Sequence, residues 1–157
     1  MIRTNSEYSG ALRRLLQDRD VIAAQRAQLE GLGLSPEEVA CALEPAISFH
    51  QQLKEEVETY ESMKRGDTGV IENLNHIGRI LIGLRIAADM SQAELARRLE
   101  VSESVISRDE RNEYQGISVE RAQRIVDALR GRLRLQVEPE DRAVERFDAP
   151  VAAGARR

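Results

Sequence analysis

Hydrophobic positions recur at helical spacing along most of the chain, and the breaks between runs carry helix-capping residues. Residues 4–32 read as one long helix. Tyr8, Leu12, Leu15, Ile22 and Leu29 form its stripe, Leu16 and Ala23 widen it, and Gly31 and Gly33 end it. Ser35-Pro36-Glu37-Glu38 is a restart signal of N-cap, first-turn proline and capping-box glutamate. The short helix it opens carries Val39, Ala42 and Leu43 inward and is expected to stop before Pro45. A second long helix then runs to Arg65, with Ala46, Phe49, Leu53, Val57, Tyr60 and Met63 as its stripe and Gly66 just past its end. Glu55, Glu56, Glu58 and Glu61 make its outer face acidic. Two such helices predict an antiparallel hairpin. Its stripe reads as ordinary core, and the other reading is a face for a partner or a second copy. His50 lies on or beside that stripe with no second metal ligand in reach.

After a break at Asp67–Gly69, with Asp67 as the cap, the pattern is helical again from Val70. Ile71, Leu74, Ile77, Ile80, Leu81, Leu84 and Ala88 give a continuous apolar face, and His76 lies at its exposed side. Ser91–Asn112 then divides into two short helices around a tight turn. Ser91 and Glu94 form a capping box, with Ala93, Ala96 and Leu99 inward. Ser102 caps the second helix, and Val105 and Ile106 anchor it. Its other face carries Glu103, Ser104, Ser107, Arg108 and Arg111, all able to reach a base edge or a phosphate, which is the logic of a helix laid in the DNA major groove. A polar loop at Arg111–Gly116 follows, with Asn112, Tyr114 and Gln115 as its hydrogen-bonding groups. A helix capped by Ser118 then runs to Arg130 and is ended by Gly131. Val119, Ala122, Ile125, Val126 and Leu129 are its inward positions.

Between Arg132 and Glu138 the period changes to two. Leu133, Leu135 and Val137 alternate with polar residues, which predicts a strand. A lone strand in a helical chain has an unpaired edge. It is therefore expected to pair with its copy across a dimer; the other reading is an extended tail packed over the helices.

The run IGRILIGLRIAADMSQAELARRLEVSESVISRDE resembles the Cro/λ-repressor (XRE) helix-turn-helix family over about 60 residues of the chain. The resemblance implies an ion pair between Arg85 and Glu110 that locks the first helix of the domain to the end of the recognition helix. It implies a phosphate contact at Gln92 and base-reading positions at Glu103 and Ser104. Arg108 is then the candidate for a bidentate guanine contact, and Ser107, Arg111 and Asn112 for phosphate contacts. For Arg111, a surface pair with Asp109 or Glu113 is the competing reading. Two positions depart from the pattern: Glu100 replaces a turn glycine, and Asp109 stands where an apolar residue packs. The ExY-x-AL start and hairpin before the domain are similar to the region preceding it in HigA-type antitoxins.

Composition narrows the picture. At 41% apolar residues with two Phe, three Tyr and no Trp, the core must be built from aliphatic side chains. No apolar run is long enough for a transmembrane helix or a secretory leader, so no membrane partner is expected and a cytoplasmic location is the default. Cys41 is the single cysteine and reads as a small core residue. No catalytic residue set, metal-ligand cluster or phosphate-cradling loop is present, so neither an enzyme nor a cofactor is expected. The net charge is −4; residues 75–138 hold 11 Arg against 10 acids. With so little excess charge, Arg97, Arg98, Arg108 and Arg111 must cluster for DNA to be held.

The reading is an all-α chain. A helical hairpin (1–66) precedes a five-helix XRE-type DNA-binding domain with a terminal strand (67–138), and a disordered tail (139–157) follows. The expected function is a homodimeric, sequence-specific repressor, first of its own promoter, that binds an inverted repeat of double-stranded DNA through the helix at 103–111. One alternative is an antitoxin that neutralises a partner toxin through its N-terminal region and represses its own operon. Another is a domain that binds only protein.

Overall fold

The computed structural model describes residues 1–135 and contains, among them, six α-helices, one single-turn 3-10 helix and no strand. Helices α1 (Asn5–Gly31) and α2 (Pro36–Lys64) form the hairpin. Each begins on a reciprocal capping box, Thr4 with Glu7 and Ser35 with Glu38. After the 3-10 turn Leu74–His76 come α3 (Ile77–Ala87), α4 (Gln92–Arg98), α5 (Glu103–Arg111) and α6 (Val119–Ala128). The second part thus has four α-helices and a 3-10 turn rather than five helices.

A single hydrophobic core joins the two parts. Ile2, Ala11, Val57, Tyr60 and Met63 from the N-terminal half are continuous with Leu81, Ile82, Leu95, Ile106, Ile125 and Val126. Tyr8 and Tyr60 stack with ring centroids 5.0 Å apart, and their hydroxyls donate to Glu61 and Asn5 at 2.7 and 2.8 Å. The wide end of the hairpin is thereby sealed against the first turn of α1.

Several expectations are corrected. The helix does not stop at Pro45; α2 passes straight through it. The missing N–H and ring clash cost roughly 3 kcal/mol. Val39 and Leu43, almost fully buried in the part of α2 before the proline, contribute roughly 1.5–3 kcal/mol each and outweigh that cost. Phe49 was expected in the stripe but is 70% exposed, and Cys41 is exposed rather than in the core. Residues 70–73 are not helical, and Asp67 accepts from the Gly69 amide in a local turn instead of capping a helix. In α4 the inward residues are Leu95 and Ala96, while Ala93 is exposed. Val119 begins α6 pointing outward at 82% exposure, and Tyr114, expected in a solvated loop, is in the core. Burial pushes its phenol well above the ordinary tyrosine range. Arg130, not Gly131, takes the left-handed position after α6. Of the expected strand, Leu133 and Leu135 lie in a segment without regular secondary structure, because a strand needs a neighbouring edge and the described residues contain no other strand. Val137 and the tail lie outside the described residues.

Two backbone positions set the packing of the second part. A Cβ on Gly78 would lie 1.8 Å from the carbonyl oxygen of Glu113, so α3 can approach the loop after α5 only at a glycine. Glu100, in the turn between α4 and α5, has φ +57°, the left-handed conformation that strains any residue with a Cβ. Glycine substitutions at these two sites should therefore act in opposite directions. In urea unfolding, Gly78→Ala is expected to lose about 1–3 kcal/mol as α3 is pushed off the loop. Glu100→Gly is expected to gain up to about 1 kcal/mol, since relief of strain exceeds the added chain entropy. A destabilised Glu100→Gly would refute the strain argument.

Candidate nucleic-acid interface

The end of α5 is tied into the protein by its own sequence pattern. Ile106 and Glu110, one turn apart, point inward and are fully buried, which leaves Ser104, Arg108 and Arg111 on the opposite face. Glu103 and Ser104 are exposed at the start of the helix, Ser107 is half-buried on its flank, and Arg108, Arg111 and Asn112 are exposed. The residues expected to touch DNA thus lie along one side of α5 or at its ends.

Glu110 accepts from Arg85 of α3 in a two-pronged pair: Nη2 donates to Oε2 at 2.7 Å, and Nε donates to Oε1. Arg85 is 3% and Glu110 0% exposed. Two further Arg85 donors are also used, Nη1 on the Met90 carbonyl at 2.8 Å and Nη2 on the Arg3 carbonyl at 2.9 Å. Gln92 is drawn into the same cluster, since its Nε2 donates to Glu110 Oε2 at 2.7 Å. The start of α4, the end of α5, the middle of α3 and the N-terminal arm therefore meet on one carboxylate and one guanidinium. Gln92 keeps its other amide hydrogen and its carbonyl oxygen.

The four arginines expected to cluster do not act as one set. Arg97 and Arg98 are both bound to Glu94, and Arg98 also donates to the Ala128 carbonyl at 2.8 Å. Glu94 is thereby taken from its expected capping box; Ser91 accepts from the Glu94 amide, but no return bond forms. Hydrogen bonds from Arg97, then Arg98, pull the Glu94 carboxyl down to about 2. Among the described residues Arg108 and Arg111 have no ion-pair partner. The pair considered for Arg111 is pre-empted on both sides: Asp109 binds Arg121 of α6, and Glu113 lies 3.9 Å from Arg79.

The Asp109–Arg121 pair also explains how a carboxylate stands at an apolar position. Both side chains are only partly exposed, and the ion pair bridges α5 to α6 where an apolar contact would otherwise do so. Neither this pair nor the Arg3 carbonyl is signalled by local pattern, because the partners are far apart in the chain.

Beside the cluster lies a cavity of about 280 Å³. Its lining includes Arg3, Arg85, Met90, Ser91, Gln92 and Glu103, so it opens between the starts of α4 and α5. Among the described residues there is no group of three or more His, Cys, Asp or Glu that could hold a metal ion, and no helix long and apolar enough to cross a membrane.

Residues 82–135 match a family model described as Helix-turn-helix. That segment is a helix-turn-helix domain of the Cro/λ-repressor (XRE) type, the DNA-binding part of a transcription regulator. No curated protein and no solved structure matches the chain.

Two outcomes follow from this geometry. Arg85→Ala leaves the Glu110 carboxylate buried without its cation and is expected to cost about 3–5 kcal/mol in urea unfolding; a loss below 1 kcal/mol would show that the cluster is not held by this pair. For Glu94, the folded value lies below the unfolded one, so its pairing supports the fold above the usual carboxylate range. That support fades as pH falls from about 4.5 toward about 2. A carboxyl titration by NMR should find its midpoint near 2 and a higher one in Arg97→Ala.

Proposed function

We propose that the protein is a sequence-specific transcriptional repressor that binds an inverted repeat as a homodimer, its own promoter first. The observation that carries the reading is the split of α5. Ile106 and Glu110 hold one face rigidly in the core, and Ser104, Arg108 and Arg111 stand free on the other. In the major groove, Arg108 makes the bidentate guanine contact. Glu103 accepts from a cytosine amino group, and Ser104 bonds either class of base. Ser107, Arg111 and Asn112 hold phosphates, as does the free amide hydrogen of Gln92. Occlusion of the promoter follows from occupancy, with half-sites about one helical turn, ~34 Å, apart.

In this reading the dimer forms at the C-terminal end, through pairing of the segment that carries Leu133 and Leu135 with its copy. Support comes from an apolar groove lined by Leu74, Ile77, Ile117, Val119, Leu133 and Leu135, several of which are exposed in the single subunit. Removal of residues 132–157 should convert a dimer to a monomer in light scattering; an unchanged dimer would rule out this interface.

A second reading, a HigA-like antitoxin whose hairpin grips a toxin, is favoured by the apolar side chains the hairpin leaves in solvent. These include Leu16, Val21, Ile47 and Phe49. Fluorescence anisotropy with DNA from upstream of the gene and a scrambled control separates the readings. The repressor reading expects preference for the upstream DNA that persists at higher salt. It expects Arg108→Ala to lose roughly 1–3 kcal/mol of that preference. Equal, salt-labile binding to both DNAs would move the function to the hairpin and its partner.

A further inference from the structure

The N-terminal arm adds a residue to this interface that the helix-turn-helix pattern does not contain. Arg3 is held in place through its main chain: its amide donates to Glu7 Oε2 at 2.7 Å, and its carbonyl accepts from Arg85 at 2.9 Å. Ile2, just before it, is buried in the common core. Arg3 lies in the wall of the cavity that is also lined by Ser91, Gln92 and Glu103. A guanidinium is thereby brought to the starts of α4 and α5 from the far end of the chain.

Among the described residues, no carboxylate answers that guanidinium. Glu7 accepts from the Arg3 and Thr4 amides, Glu110 is taken by Arg85 and Gln92, and Asp89 lies 3.6 Å from Lys64. Glu103 shares the cavity wall but makes no bond to Arg3. The Arg3 Nε is buried and has no hydrogen-bond partner. The cavity adjoins α5, and among the described residues its wall holds two charged side chains without an ion pair, the Arg3 guanidinium and the Glu103 carboxylate.

We infer that Arg3 is a DNA phosphate contact: its guanidinium and the free amide hydrogen of Gln92 hold one backbone phosphate in the cavity between the starts of α4 and α5. The inference rests on the DNA-binding reading and extends it to the N-terminal arm. Glu103, on the same wall, opposes an anion there, so the phosphate is held against that repulsion by the Arg3 guanidinium and Gln92. The arm's main chain binds the cation of the Arg85–Glu110 pair while its side chain binds DNA, so the arm and α5 are set in register by one cluster.

The test is the salt dependence of binding, by anisotropy with both upstream and scrambled DNA, for the full chain and for Arg3→Ala, Arg3→Gln and Arg3→Lys. These substitutions leave both main-chain bonds in place. One lost phosphate contact lowers the slope of log K against log salt by about 0.9, roughly eightfold in affinity at 0.1 M salt referred to 1 M. Arg3→Ala and Arg3→Gln should show this loss equally on both DNAs. Arg3→Lys should keep the slope, and Arg14→Ala, on the exposed side of α1, should keep slope and affinity. If Arg3→Ala and Arg3→Gln keep the wild-type slope while the upstream preference stands, the Arg3 contact is overturned and the repressor reading survives. If the wild-type protein binds neither DNA, both fall together.

Discussion

The buried pair of Arg85 and Glu110 is the constraint on which the arrangement of the second part depends. Taking a guanidinium and a carboxylate out of water costs several kcal/mol each, and their attraction offsets this only when the remaining donors and acceptors are also satisfied. Here Arg85 also donates to the Met90 and Arg3 carbonyls, and Glu110 also accepts from Gln92. Net stability gained over a purely apolar contact is small by this account. The gain is in specification. The cluster joins α3, α4, α5 and the N-terminal arm through directional bonds, which constrain how α5 is set against its neighbours. Because Glu110 and Ile106 share one face of α5, fixing that face fixes the opposite one, where Ser104, Arg108 and Arg111 stand.

Charge on the interface is sparing. Arg97 and Arg98, which sequence alone would count as available, are held by Glu94, and Arg121 is held by Asp109. With most of the arginines near the two short helices neutralised, electrostatics supplies a limited share of any affinity for DNA. What electrostatic share there is comes from the few unanswered guanidinium groups. A strongly basic face would bind any duplex; a face with a few cations in fixed positions gains relatively more from the correct sequence.

The two departures from the family pattern are accommodated by different means. Glu100 takes the left-handed backbone of the turn between α4 and α5 as strain. Asp109 is accommodated by a partner: Arg121 comes from α6 and turns an apolar contact into an ion pair between the same two helices. The first is local and could be inferred from the alignment of motifs. The second depends on a residue in another helix.

Periodicity and caps in the sequence determine that the chain is helical, that the hairpin precedes a helix-turn-helix, and which residues of α5 face outward. These are short-range consequences of spacing and of hydrogen bonds within a few residues of one another. The tertiary structure decided the rest. Pro45 stays inside α2 because packing on both sides outweighs a local penalty. Tyr114 is buried although its neighbours are polar. Leu133 and Leu135 form no ladder, because a strand is defined by its neighbour and not by its own alternation. The arm's carbonyl meets a guanidinium 82 residues away, a contact no local pattern encodes, since it is the folded core that brings the two ends of that interval together.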